Sequence, residues 1–378
     1  MWKRIQPYCS ITFVVLFSTF ILWLPFLLKW DGAGYVYTSE KLSLLDLYKH
    51  WDGPLYVIVA KTFYNISSPI LRESFLGLNP GYFAAHLPLY PVLIRSTAHL
   101  VGYLPSMLAW PVIGAVLYIN FFYFFVKKLN VTNNPLRLAF VAAFFTPRFF
   151  VIRSVGAPET IFMFLILVSI YFFIIKRYWL AGLSGALGFL TKSPGIILFG
   201  AYSLWMLEEI VRTKKINIKW IGVLLIPLAI IGLFVWYWYS YGDFFMYFHT
   251  GYIISPLFPP FQVFNASARW VGTGWLEDIL FIYIFYLLSI FALFSIKKLR
   301  VIFYFALLFF IAIISVQHKD IARYSLPLLP FGLIAHEQFF TSKKFLLVLC
   351  ILLPALYVYT WNFMIHNQAP ITDWAVLR

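Results

Sequence analysis

Apolar residues run through this chain in long unbroken blocks, separated by short charged punctuation. Blocks of about 18 or more are long enough to cross a bilayer as a helix. In hydrocarbon every backbone N–H and C=O must be paired internally, which leaves helices or closed barrels. The blocks do not alternate, so the pattern predicts an all-α, polytopic integral membrane protein. It places helices at about 11–28, 107–126, 136–152, 160–175, 220–240, 279–295, 301–316, 325–340 and 345–361. Residues 179–207 differ: two apolar pieces of roughly a dozen residues flank Thr191-Lys192-Ser193-Pro194. Pro194 would break a continuous helix, and a lysine at the bilayer centre would cost about 3 kcal/mol. The pieces therefore read as a hairpin whose tip reaches an outward-facing cavity, packed through Gly182, Gly185 and Gly188. The total is about eleven crossings in one membrane domain over residues 1–378.

Two stretches of mixed polarity interrupt the blocks. Residues 29–105 form a large first extracytoplasmic region and 241–277 a second. Within the first, Tyr56–Phe63 and Tyr82–Val101 read as amphipathic helices lying on the membrane. The run Ile11–Leu28 is long and no small-residue cleavage pattern follows it, so the first helix is expected to be retained.

Composition agrees: 62% of the 378 residues are apolar and only 11% are charged. The formal charge of +15 could point to nucleic acid, but the placement of charge argues against it. Sixteen of the 29 basic residues fall in short loops at one set of helix ends, with only Glu208, Glu209 and Glu337 for company. That is the positive-inside asymmetry. It implies lipid headgroups as partners and no nucleic acid. Cys9 and Cys350 read as small hydrophobes, and no spacing of His, Asp or Cys makes a metal site. No cofactor is required by this reading, and a carboxylate-bound divalent cation is left open.

The unusual polar groups all fall on the other side. They are Asp31, the stretch His50-Trp51-Asp52-Gly53-Pro54-Leu55-Tyr56, the turn Arg153 to Glu159, Lys192, Arg269, and the turn His318-Lys319-Asp320 to Arg323. Charged groups near membrane depth usually face a cavity or one another. Cations there suit a lipid phosphate, and an acid beside them suits a general base for a hydroxyl. The combination fits transfer of a group from a lipid-phosphate carrier, with Trp51, Tyr56, Tyr90 and Trp270 as surfaces for sugar rings. Each residue also has a structural reading. Asp52 could cap the helix that starts at Pro54; Glu159 could cap helix four; Lys192 could snorkel. Arg323 could pair with Asp320, His318 could be a surface histidine, and Asp31 could be interfacial.

The same residues carry a family resemblance. Trp51-Asp52-Gly53-Pro54-Leu55-Tyr56 resembles the Trp-Asp motif in the first outer loop of the GT-C superfamily of polytopic glycosyltransferases. The likeness is greatest to the mannosyltransferases related to the PIG-V enzyme of GPI-anchor synthesis. His86-Leu87-Pro88-Leu89-Tyr90-Pro91 is similar to that family's Phe-Pro-Leu-Tyr-Pro segment, and Pro158-Glu159-Thr160 to its Ser-Glu-Ser turn. Thr191-Lys192-Ser193-Pro194-Gly195 resembles its Thr-Arg-x-x-Gly, and Arg323-Tyr324-Ser325-Leu326-Pro327 its Arg-Tyr-Leu-x-Pro. Lys192 stands where arginine is usual, and Pro158 replaces serine. The resemblance implies a dolichyl- or polyprenyl-phosphate sugar donor, a lipid-linked or surface glycan acceptor, extracytoplasmic chemistry and inversion at the anomeric carbon.

Together these readings assign Asp52, Asp31 and Glu159 to catalysis, with Asp52 as base. Lys192, Arg269, Arg323 and Lys319 fall to the donor phosphate, and His50, Trp51, Tyr56, Tyr90 and His318 to the substrate. The expected product is a hexose, mannose by resemblance, moved to its acceptor in the plasma membrane of a prokaryote or the ER membrane of a eukaryote. The rival classes are a lipid or solute transporter, which predicts paired half-structures, and a non-catalytic scaffold.

Overall fold

The structure is a computed structural model. It describes residues 2–31, 36, 41–72, 78–250, 256–268, 270–271, 276–369, 371 and 374–377. Among these, the fold is helical, and the only β pairings are isolated bridges. Six helices are long and apolar enough to cross a membrane by length and composition, which makes this an integral membrane protein. Others are shorter, so the expected eleven crossings are not matched by eleven full-length helices.

The first long helix, α1 (Trp2–Leu27), leads to a region in which α2 (Gly53–Thr62) and α3 (Leu89–Val101) are the main helices. Next come α4 (Tyr103–Lys128), α5 (Pro135–Phe144), α6 (Pro147–Ile152) and α7 (Glu159–Ile174). The two pieces read as a hairpin follow as α8 (Tyr178–Thr191) and α9 (Ile197–Thr213), joined at Lys192 but packed on other helices rather than on each other, and with Ser193–Thr213 long enough to cross by itself. Then come α10 (Leu225–Tyr241), α11 (Glu277–Phe294), α12 (Arg300–Ile314), α13 (Ile321–Tyr324), α14 (Leu329–Ala335) and α15 (Lys343–His366).

Three features depart from the sequence reading, each for a local reason. The run read as 136–152 is two helices, because Pro147 lacks an N–H and starts α6 afresh. The run read as 325–340 is broken by Pro327 and Pro330, each at a helix start. The stretch Tyr56–Phe63 does not lie on a membrane surface. Every residue of α2 except Lys61 is buried, so this helix is part of the protein interior.

Helix crossings at glycine bring the polar groups together. Gly53 and Gly156 touch, and a Cβ on Gly156 would stand 2.8 Å from the Gly53 Cα. The start of α2 and the turn before α7 are thereby pressed against each other. In α8, Gly182 packs on the Gly222 carbonyl and Gly185 on Ile226, whereas Gly188 has only ordinary contact, 3.8 Å to Leu165. Basic loops gather at the other end. Lys298 bonds the Leu129 carbonyl at 2.8 Å, and Tyr304 bonds Glu208 at 2.9 Å, joining the ends of α4, α9 and α12.

Candidate functional site

Glu159 starts α7 yet does not serve as its cap. Its side chain, 3% exposed, turns across the bundle to the end of α8 and to α13. One carboxylate oxygen, Oε1, accepts from Lys192 Nζ at 2.6 Å and from Arg323 Nε at 2.7 Å, and Arg323 Nη2 stands within ion-pair distance of the same oxygen at 2.7 Å. The other oxygen, Oε2, is buried with no hydrogen-bond partner among the described residues. Two charge-assisted hydrogen bonds and a further ion-pair contact on one oxygen make a strong clamp. They also set two cations against one acid, leaving a surplus positive charge inside the cluster.

The clamp opens the way for Trp51. Its indole lies beneath the Arg323 guanidinium, 3.9 Å from atom to ring centre. To get there, Trp51 adopts a φ of 47°, in the left-handed region that non-glycine residues seldom use. The strain is held from behind. The Trp51 N–H donates to the Asn367 carbonyl at 3.1 Å, and Ala369 donates to the Lys49 carbonyl at 2.7 Å. The segment that follows α15 thus straps the loop in place, with His50 and Gln368 forming a bridge pair.

Asp52 follows directly. Its backbone carbonyl accepts from Leu55 and Tyr56 at the start of α2, but its carboxylate makes no capping bond. Asp52 is part of the lining of a hollow of about 540 Å³, with Trp51, Leu55, Tyr82, His366 and Gln368. Its charge acts on Lys192, Arg323, His86 and His318. A hollow of about 580 Å³ lies at the basic end, beside Asn130 and Lys298, away from this cluster.

The remaining sequence-predicted residues fall in different places. His318 adjoins the site: its Nδ1 accepts from the Asp320 N–H at 2.9 Å and its ring meets Tyr324 edge-on at 4.8 Å. Burial pushes its pKa below the usual histidine value. Lys319 is exposed on the same turn. His50 and Tyr90 are both fully buried. The His50 Nδ1 is bonded to the Met364 carbonyl at 3.1 Å and the Tyr90 hydroxyl to that of Met107 at 2.6 Å. Neither presents a face to a sugar; both brace the loop and α3 from behind. Tyr56 is 8% exposed and packs edge-on to His86 and Tyr90, so it too belongs to the wall. Asp31 is exposed beyond the end of α1, with no bond to the clamp among the described residues. Arg269 lies outside the described residues. Arg323 does not pair with Asp320. That acid instead meets Arg148, a residue whose signal was an arginine beside a proline inside an otherwise apolar block. Among the described residues no group of three His, Cys, Asp or Glu could hold a metal ion.

No family model and no curated protein matches the sequence. Solved structures do match in shape. The apo oligosaccharyltransferase of Archaeoglobus fulgidus aligns with a TM-score of 0.57 at 11% identity, over 97% of this chain and 57% of that one. The same organism's oligosaccharyltransferase AglB, in complex with an inhibitory peptide and a dolichol-phosphate, aligns with a TM-score of 0.55 at 12% identity. It covers 99% of this chain and 57% of that one. ArnT from Cupriavidus metallidurans, bound to undecaprenyl phosphate, gives a TM-score of 0.56 at 12% identity, over 94% of this chain and 76% of that one. The chain thus spans little more than half the length of the oligosaccharyltransferases. At these identities the likeness speaks for the fold, which is GT-C-like.

Proposed function

We propose that this protein is a membrane glycosyltransferase that takes a hexose, mannose in the reading of its motifs, from a polyprenyl or dolichyl phosphate. It passes the sugar to a lipid-linked or surface acceptor on the extracytoplasmic side. The observation that carries this reading is the juxtaposition of Asp52, in the lining of a hollow and with no capping bond from its side chain, with the buried Lys192–Glu159–Arg323 clamp and its Trp51 platform. The fold shared with ArnT bound to undecaprenyl phosphate supports it.

In this mechanism Asp52 takes the proton of the acceptor hydroxyl as its oxygen attacks the anomeric carbon. The bond from that carbon to the phosphate oxygen breaks, and the lipid phosphate leaves with the bonding pair. Lys192 and Arg323, with their surplus positive charge, stabilise the charge that builds on the phosphate. Attack opposite the departing phosphate inverts the anomeric carbon. Glu159 acts from below, as the positioning residue for both cations. Side chains supply the charge, so the reading calls for no resident cofactor.

The test is transfer of labelled hexose from a polyprenyl-phosphate donor by purified protein. Asp52→Asn should lower turnover by about 10²-fold or more while donor binding and thermal unfolding stay near wild type. Retained turnover in that variant would reject Asp52 as base. Movement of intact labelled lipid across a vesicle membrane, with no transfer, would favour the transporter instead.

A further inference from the structure

Arg148 was not among the residues the sequence singled out, yet the structure builds it into the site by two routes. Its guanidinium carbon lies over the Phe363 ring of α15, 3.7 Å from the ring centre. Phe363 meets Trp51 edge-on at 5.5 Å, and Trp51 carries Arg323 at 3.9 Å. That is one route from Arg148 to Arg323, through two aromatic rings. The other is electrostatic. Arg148 Nε stands 3.0 Å from Asp320 Oδ1. The N–H is not aimed along a hydrogen bond, so the contact is one of charge. Asp320 begins α13, and its carbonyl accepts from the Arg323 N–H at 3.0 Å. The two routes close a ring of contacts: Arg148, Phe363, Trp51, Arg323 and Asp320.

From this closed ring we propose that Arg148 is a positioning residue for Arg323, setting the cation that receives the anionic lipid phosphate. The inference rests on the proposed function for the identity of that ligand. Its physical basis is separate. Trp51 holds a strained backbone, and its ring is in contact with both the Arg323 guanidinium and, in a T-shaped pair, the Phe363 ring. Arg148 holds both sides of that contact at once, Phe363 through its ring and α13 by charge. A planar, always charged guanidinium does both; an ammonium keeps the charge contact but lacks the planar face that stacks on a ring.

The experiment compares Arg148→Met, Arg148→Lys and the swapped pair Arg148→Asp with Asp320→Arg. Binding of a short-chain polyprenyl phosphate to the purified protein is one readout. Arg148→Met should weaken it on the order of tenfold, because a misplaced contact group of this kind costs that much or more. Arg148→Lys should fall between it and wild type, and the swapped pair should bind better than either of its single variants. The second readout needs no ligand. Thermal unfolding of Arg148→Met, Trp51→Leu and the double variant tests the ring itself. Once Trp51→Leu has opened it, Arg148→Met should shift the midpoint by less than half of its effect in wild type. Additive midpoint shifts would overturn the inference, as would wild-type binding by Arg148→Met. If wild type binds no polyprenyl phosphate, the proposed function falls while the unfolding comparison still judges the ring.

Discussion

Replacing Glu159 by glutamine keeps the side chain's shape and removes its charge. In the native protein one oxygen holds Lys192 at 2.6 Å and Arg323 at 2.7 Å, with the carboxylate side chain 3% exposed. Two cations gathered on one atom stand about 4–5 Å apart, and at an effective dielectric of about 20 they repel by about 3–4 kcal/mol. The carboxylate offsets this; a carboxamide does not. Breaking buried pairs in general costs about 3–5 kcal/mol, the same size. Glu159→Gln should therefore lower the midpoint of thermal unfolding in detergent by on the order of 5–10 °C. Adding Lys192→Met should return much of that loss, since a single cation then remains. Added polyprenyl phosphate should raise the midpoint of Glu159→Gln more than that of wild type, because it brings the missing negative charge. A Glu159→Gln protein that melts with wild type, or one that Lys192→Met does not rescue, would refute this account of the clamp.

Further expectations come from packing and from burial. Gly156→Ala would drive a Cβ to 2.8 Å from the Gly53 Cα, so the backbone must part; a loss of about 1–3 kcal/mol and displacement of Asp52 should follow. Gly188→Ala, with 3.8 Å of room, should be neutral or stabilising by up to about 1 kcal/mol in the same unfolding assay. His50 supplies a pH dependence. Burial pushes its pKa down to about 3, helped by the charges of Arg323 and Arg148 and opposed by the bond to Met364. The unfolded chain, with an ordinary value of about 6.5, then binds the proton first. The stability His50 contributes is full above about pH 6.5 and is lost as pH falls, by up to about 1.4 kcal/mol per pH unit. Unfolding midpoints measured from pH 7.5 to 5 should show a shallower fall in His50→Asn than in wild type.

How much of this was legible in the sequence follows from the range of the forces involved. Hydropathy is local, so the helices of the bundle could be read from their apolar blocks. The break at Lys192 could be read too, because a short apolar piece, a proline and a lysine all conflict with one continuous span; that the second piece, Ser193–Thr213, is long enough to cross by itself and that the two pieces pack on other helices could not. The burial of α2 could not, because a helix packed inside other helices and one lying on lipid present similar sequences. The division at Pro147 carried a local signal that the surrounding hydropathy outweighed. The partners of each charge were not legible at all. Glu159 reaches Lys192 and Arg323 across 33 and 164 residues, and nothing in the intervening chain shows that those cations take Glu159 rather than Asp320 or lipid. The strap from Asn367 to Ala369 onto the Trp51 loop is made of backbone bonds, which any sequence could offer.

The two central acids answer different physical needs, and their environments separate them. In the proposed transfer Lys192 and Arg323 must be ready before the lipid phosphate arrives, and two buried cations with no counter-ion would not stay together. Glu159 meets that need from inside the protein, where exchange with substrate is impossible, and it leaves one positive charge over. Asp52 sits at the hollow instead, with its carboxylate unspent on the helix that it begins. An acid that takes up a proton at each turnover must be reachable by the hydroxyl and must not be committed to a clamp. Exchanging the proposed roles would fail at both ends: a base locked between two cations cannot accept a proton without releasing them, and a counter-ion open to water would be screened. The difference in burial therefore fits two carboxylates to one cluster, Glu159 to hold charge and, in the proposed transfer, Asp52 to move it.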